Sequence, residues 1–78
     1  MLSDSMLRWR CRRGKKELDV LLGLFLDRHL ASLNTAQREA LECLLALEDD
    51  ELLDRILGRV PATDADTATV LGWLSDGA

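Results

Sequence analysis

The residue types that carry most protein chemistry are thinly spread in this sequence. His29 is the only histidine, and the two cysteines, Cys11 and Cys43, stand 32 positions apart with no Cys-x-x-Cys pair. A structural zinc site needs four closely spaced ligands, and no such spacing exists here. No serine, cysteine or carboxylate is placed with His29 in a recognisable nucleophile–base motif, so no catalytic residue and no metal ligand is assigned. One segment does stand out. Residues 8–19 read Arg-Trp-Arg-Cys-Arg-Arg-Gly-Lys-Lys-Glu-Leu-Asp, a dense basic cluster across a glycine, followed by two acids. Gly14 can take a left-handed conformation, and its missing Cβ lets another backbone approach closely. Arg13 offers a planar five-donor fork suited to carboxylates or phosphates. Glu17 can cap free amides or accept a bond from a partner. That pattern suits binding and gives no acid–base or nucleophilic chemistry.

Charge follows the same division. Residues 1–20 hold six bases and three acids, net +3, and residues 21–78 hold four bases and eleven acids, net −7, giving the overall −4. A basic N-terminal face on an acidic body fits an anionic partner. The acidic body argues against nucleic acid as the partner, since that affinity grows with the number of phosphates neutralised. The longest apolar run, Val20 to Leu26 with Gly23 inside it, is far short of a membrane span of about 20 residues. The cysteine usage fits reduced thiols, each expected as a small buried hydrophobe. No Arg- and Ser-rich transit stretch precedes the domain, and the expected compartment is the bacterial cytoplasm.

The elements that must position the basic corner are all helical. Leucines recur at helical spacing, and no alternating strand-like segment is present. A first helix, capped by Ser3 or Asp4, is expected to run to about Arg12 with Leu2, Met6 and Trp9 on one side, and Gly14 breaks it. A second is expected from about Lys15 to Leu33, with Leu18, Leu21, Leu22, Phe25, Leu26, Leu30 and Leu33 as its buried stripe. Asn34 or Thr35 caps a third, with Gln37 as reciprocal partner of Asn34. Its stripe is Ala40, Leu41, Leu44 and Leu45. A fourth starts at Asp49, buries Leu52, Leu53, Ile56 and Leu57, and stops at Gly58 and Pro61. Thr63 with Asp66 reads as the capping box of a fifth, buried through Val70, Leu71 and Leu74 with Trp73 beside them.

The expected fold is therefore all-α, a compact five-helix bundle forming one domain over residues 1–78. A chain of this length exposes roughly 12,600 Å² unfolded and about 4,700 Å² folded. Apolar burial then contributes roughly 120 kcal/mol, and ordering the chain costs on the order of 120 kcal/mol. With so little surplus, a deep dry ligand cavity is excluded and function belongs on the surface. Residues such as Leu24 or Trp73 would allow a weak dimer, so the expected state is monomer or weak dimer.

The stretch Cys11-Arg12-Arg13-Gly14-Lys15-Lys16-Glu17-Leu18-Asp19 resembles the Arg-Gly-x-x-Glu signature of the FAD assembly factor family, SdhE, also called succinate dehydrogenase assembly factor 2. Trp9 precedes the motif at the familiar spacing, and the run from Leu30 to Leu57 is similar to the family's leucine-rich pattern. Two positions depart from it: Lys15 stands where the family usually has Met, and Arg55 where its fourth helix usually carries Trp. The resemblance implies a small five-helix protein without enzymatic activity or a cofactor of its own. It implies binding to the flavoprotein subunit of succinate dehydrogenase, or of fumarate reductase, and promotion of the covalent attachment of FAD to a histidine of that subunit. By the same resemblance Arg13, Gly14 and Glu17 face the flavoprotein, with Arg12, Trp9 and Asp19 beside them. Arg13→Ala is then expected to abolish function with the fold intact. The alternative reading is an antitoxin-like protein that neutralises a partner toxin, since proteins resembling this family have carried that description.

Overall fold

A computed structural model describes residues 2–77 of the chain. Five α-helices and one short 3₁₀ turn follow each other: α1 (Asp4–Arg10), α2 (Lys16–His29), the turn Leu30–Ser32, α3 (Thr35–Leu45), α4 (Asp49–Ile56) and α5 (Ala65–Ser75). No strand occurs among the described residues. The accessible surface is 4750 Å².

Helix α5 is the hub, packing against α3, α4 and α2. It presents Val70, Leu71 and Leu74 to a core that holds Leu18, Leu22, Phe25 and Leu26 of α2, Leu41, Leu44 and Leu45 of α3, and Leu52 and Ile56 of α4. These are the residues the helical spacing selected, because a stripe at 3, 4 and 7 positions is the only side of each helix that can reach its neighbours at once. At the edge of this core the Trp73 ring stacks on His29, centroids 4.6 Å apart and nearly parallel, so Trp73 is partly buried and does not stand free.

The helix ends have visible causes. At α3 the Asn34 side chain accepts from the Gln37 amide at 2.8 Å, and Gln37 Oε1 accepts from the Asn34 amide at 3.0 Å, the expected reciprocal cap. Asn34 must be extended to do this, so the chain leaves the helical conformation at Leu33. The second helix therefore ends in a 3₁₀ turn at Ser32, and its regular part is shorter than expected. At α4, Gly58 (φ +78°) completes a Schellman motif in which the Arg59 amide donates to the Asp54 carbonyl at 2.9 Å.

Four expectations are corrected. The inner residues of α1 are Leu7 and Cys11, whereas Met6 and Trp9 are exposed. The cap of α5 is Asp64, not Thr63; its carboxylate accepts from the Thr67 amide at 2.7 Å, where the helix dipole favours a negative charge. Cys43 is exposed, because it lies off the α3 stripe, while Cys11 is buried. Leu57 is exposed, since α4 has already ended at Ile56.

With one buried turn, α1 gains little from apolar packing and is tied down by polar contacts. Arg38 Nη2 donates to the Leu2 carbonyl at 2.9 Å and pairs with Asp4 at 2.7 Å. Glu42 Oε1 accepts from the Leu2 amide at 3.2 Å. Arg8 pairs with Asp27 of α2 at 3.1 Å. These contacts fix where the basic corner begins.

Candidate functional site

The corner joining α1 to α2 is built around Gly14, which has φ +85°. A Cβ placed there would meet no atom within 4 Å, so the position is open to solvent and to an approaching partner. The left-handed backbone favours glycine here, since other residues pay about 1–2 kcal/mol for it. The α2 N-terminus that follows has no side-chain cap; Lys15 occupies the capping position with an extended backbone.

The Arg13 fork, expected to face a partner, turns inward and is engaged within the chain. Nε pairs with Asp49 Oδ1 at 2.7 Å, Nη1 donates to the Leu45 carbonyl at 2.6 Å, and Nη2 donates to the Leu47 carbonyl. The physical reason is acceptor demand. Leu45 closes α3 and its carbonyl has no intrahelical partner, and a charged fork satisfies it and the following turn together. Only 11% of the Arg13 side chain remains exposed. The Arg13 amide donates to Asp19 Oδ1 at 2.6 Å, so the Asp19 carboxylate is also engaged within the chain. Arg13 and Asp19 thus brace the corner from behind.

The other candidate residues do face outward. Trp9 is 72% exposed, and Arg12, Gly14 and Glu17 lie on the surface. Among the described residues Glu17 forms no ion pair. Lys15, at the departure from the family pattern, pairs with Asp50 at 2.9 Å. That hydrogen bond raises the Lys15 pKa above its ordinary value and lowers that of Asp50. The corner therefore presents Arg12, Lys16 and Glu17 around a bare backbone, with the Lys15 charge already matched. Arg55, the other departure, is half-buried on α4 and lines a shallow cleft with Leu44, Leu47 and Thr67.

Behind the corner, burial pushes the Cys11 thiol up to about 11, although the Arg13 and Arg8 charges pull it down. A neutral, enclosed thiol is a packing group and not a nucleophile at neutral pH. No group of three or more His, Cys, Asp or Glu side chains among the described residues is arranged to hold a metal ion. No described helix is long and apolar enough to cross a membrane. The concavities are open surface grooves; one of about 560 Å³ is lined by Lys16, Glu17, Val20, Leu21 and Leu24.

Sequence reasoning missed Asp49 and the Leu45 and Leu47 carbonyls as the seat of Arg13. It singled out Leu24 as an apolar surface residue but passed over Val20 one turn away, although the apolar run from Val20 to Leu26 is longer than one buried stripe needs.

Comparison with known proteins accords with this picture. The family model described as "Flavinator of succinate dehydrogenase" matches residues 5–76. The chain is 41% identical over 59 residues to an FAD assembly factor SdhE of Coxiella burnetii, covering 76% of this chain and 72% of that protein. It is 32% identical over 68 residues to the protein of the same name from Idiomarina loihiensis, covering 87% and 76%. Against the Shewanella oneidensis protein it is 32% identical over 71 residues, covering 91% and 87%. No solved structure gives a significant match. The antitoxin-like alternative finds no support among these relatives. On the family match and these identities, the chain belongs to the succinate dehydrogenase flavinator family, the family of the FAD assembly factors.

Proposed function

We propose that this chain acts as an assembly factor that binds the flavoprotein subunit of succinate dehydrogenase and promotes its covalent flavinylation with FAD. The family membership supports the role, and the observation that carries the site is the open Gly14 corner, where a partner backbone can approach without meeting a side chain. Gly14, Arg12, Glu17 and Trp9 form the contact surface. Arg13 and Asp19 act from behind it by fixing its shape. The flavoprotein of fumarate reductase is a second client of the same chemistry, and the cytoplasm is the compartment that fits both.

The chain supplies no acid, base or metal to the reaction. Bond formation between flavin and histidine belongs to the flavoprotein, which holds both groups. The factor acts by binding one arrangement of that subunit better than others. Moving such an equilibrium from 1:99 to 99:1 takes a differential affinity of about 10⁴. A surface held rigid by the Arg13 contacts is suited to that discrimination, because a loose one would bind both arrangements alike.

Reconstitution tests this. Purified flavoprotein with FAD is incubated with and without the factor, then denatured and scored for flavin that stays on the polypeptide. Wild type is expected to accelerate attachment. Gly14→Asn, which tolerates the left-handed backbone better than other side chains do but places a side chain on the corner, is expected to lose the effect while remaining folded. Equal attachment with and without wild type contradicts the proposal.

A further inference from the structure

The outer face of α2 has the wrong polarity for water. Leu18, Leu22, Phe25 and Leu26 point into the core. On the opposite side Val20 is 55% exposed and Leu24 39% exposed. They stand one helical turn apart and line, with Lys16, Glu17 and Leu21, the open groove of about 560 Å³. A helix with one face on a core is expected to be polar on the other. The core is complete without these two side chains, so they are free to pack against a partner.

Distance identifies the cover. Glu17, Val20 and Leu24 share one face of α2, at spacings of three and four residues. At 1.5 Å per residue, Leu24 lies roughly 10 Å along the axis from Glu17. A stable contact takes about 800 Å² from each partner, a patch roughly 30 Å across. A protein that touches Gly14 and Glu17 therefore lies over Val20 and Leu24 as well. The polarity also fits. Interfaces place apolar groups at the centre and charges at the rim, and here Val20, Leu21 and Leu24 are bordered by Lys16 and Glu17.

We propose that the Val20–Leu24 groove is the apolar centre of the flavoprotein contact. It receives an apolar ridge of that subunit, flanked by a carboxylate within reach of Lys16, while the Gly14–Glu17 corner forms the polar edge. This rests on the function proposed above and extends it to a second element.

The test is binding of the purified flavoprotein subunit, measured by titration calorimetry, with oligomeric state followed by analytical ultracentrifugation. Val20→Asp and Leu24→Asp are expected to weaken binding at least about tenfold, since each buries an unpaired charge at the contact. Leu24→Met is expected to bind within about threefold of wild type. Circular dichroism is expected to show all three folded, because the positions face solvent. If both aspartate variants bind like wild type while Gly14→Asn does not, the groove lies outside the footprint and this inference fails, with the corner reading intact. If wild type does not bind, both readings fall. If the aspartate variants only convert a dimer to monomer, with flavoprotein affinity unchanged, the groove is a self-association surface and the inference is overturned.

Discussion

Arg13 lies inside the motif by which the chain resembles its family, yet its side chain is spent within the molecule. The perturbation that exposes this is Arg13→Ala. It removes three charge-assisted hydrogen bonds at once: to Asp49 at 2.7 Å, to the Leu45 carbonyl at 2.6 Å, and to the Leu47 carbonyl. Each such bond contributes about 1.5–3 kcal/mol in isolation. The three share one charge, so they do not add. Asp49 is 26% exposed and sits in the first turn of α4, where water and the helix dipole compensate part of its loss. These considerations bring the cost to about 3 kcal/mol, the lower end of the range for breaking a buried ion pair. A domain of this size is stable by only about 4–12 kcal/mol. At about 4–8 °C per kcal/mol, the melting temperature should fall by about 15 °C. The assay is thermal unfolding followed by far-ultraviolet circular dichroism, with Arg12→Ala as the exposed control, expected within about 0.5 kcal/mol of wild type. Arg13→Lys, which keeps the charge but loses the planar fork, is expected to fall between them. An Arg13→Ala melt within about 2 °C of wild type would refute the bracing role and return the guanidinium to the contact surface.

Three other outcomes follow from the same structure. Alkylating reagent at neutral pH should label Cys43 and leave Cys11 untouched until urea unfolds the chain, and mass spectrometry of the digested protein reads this directly. Asn34→Ala should cost about 1 kcal/mol by removing the α3 cap, measured by urea denaturation. Stability should decline at both ends of the pH range. The Cys11 thiol, raised from 9.0 to about 11, favours the fold fully below pH 9.0, and that contribution is lost as pH climbs to about 11. The Asp64 carboxylate, held below 3.8 chiefly by the Thr67 amide, favours the fold above that value, and its contribution is lost as pH falls through the lowered pKa. A set of melts across pH checks both limbs.

The parts of the fold that were legible are those fixed by local spacing. The α2 and α3 stripes and the Asn34–Gln37 cap depend on residues three to seven positions apart, and the structure keeps them. Helix α1 was misread because a seven-residue helix offers two equally good short patterns. Met6 and Trp9 compete with Leu7 and Cys11, and only tertiary packing decides between them, while Leu2 does pack against the core. The α5 cap was misplaced by one residue: the helix starts at Ala65, so the capping position falls on Asp64 and not on Thr63. The Arg13 seat was not legible at all. Its acceptors lie 32 to 36 residues away, and two of them are backbone carbonyls, which carry no side-chain signature. The motif reported that Arg13 matters at the corner. Direction, inward or outward, is a property of the packed chain.

The most direct test of the central claim is in-gel flavin fluorescence of the host's succinate dehydrogenase flavoprotein after denaturation, which removes flavin that is not covalently held. The gene for this chain is deleted, then restored as wild type or as Gly14→Asn. The signal is expected to fall on deletion, return with wild type and stay low with Gly14→Asn although that variant accumulates as a folded protein. A signal unchanged by deletion would contradict it.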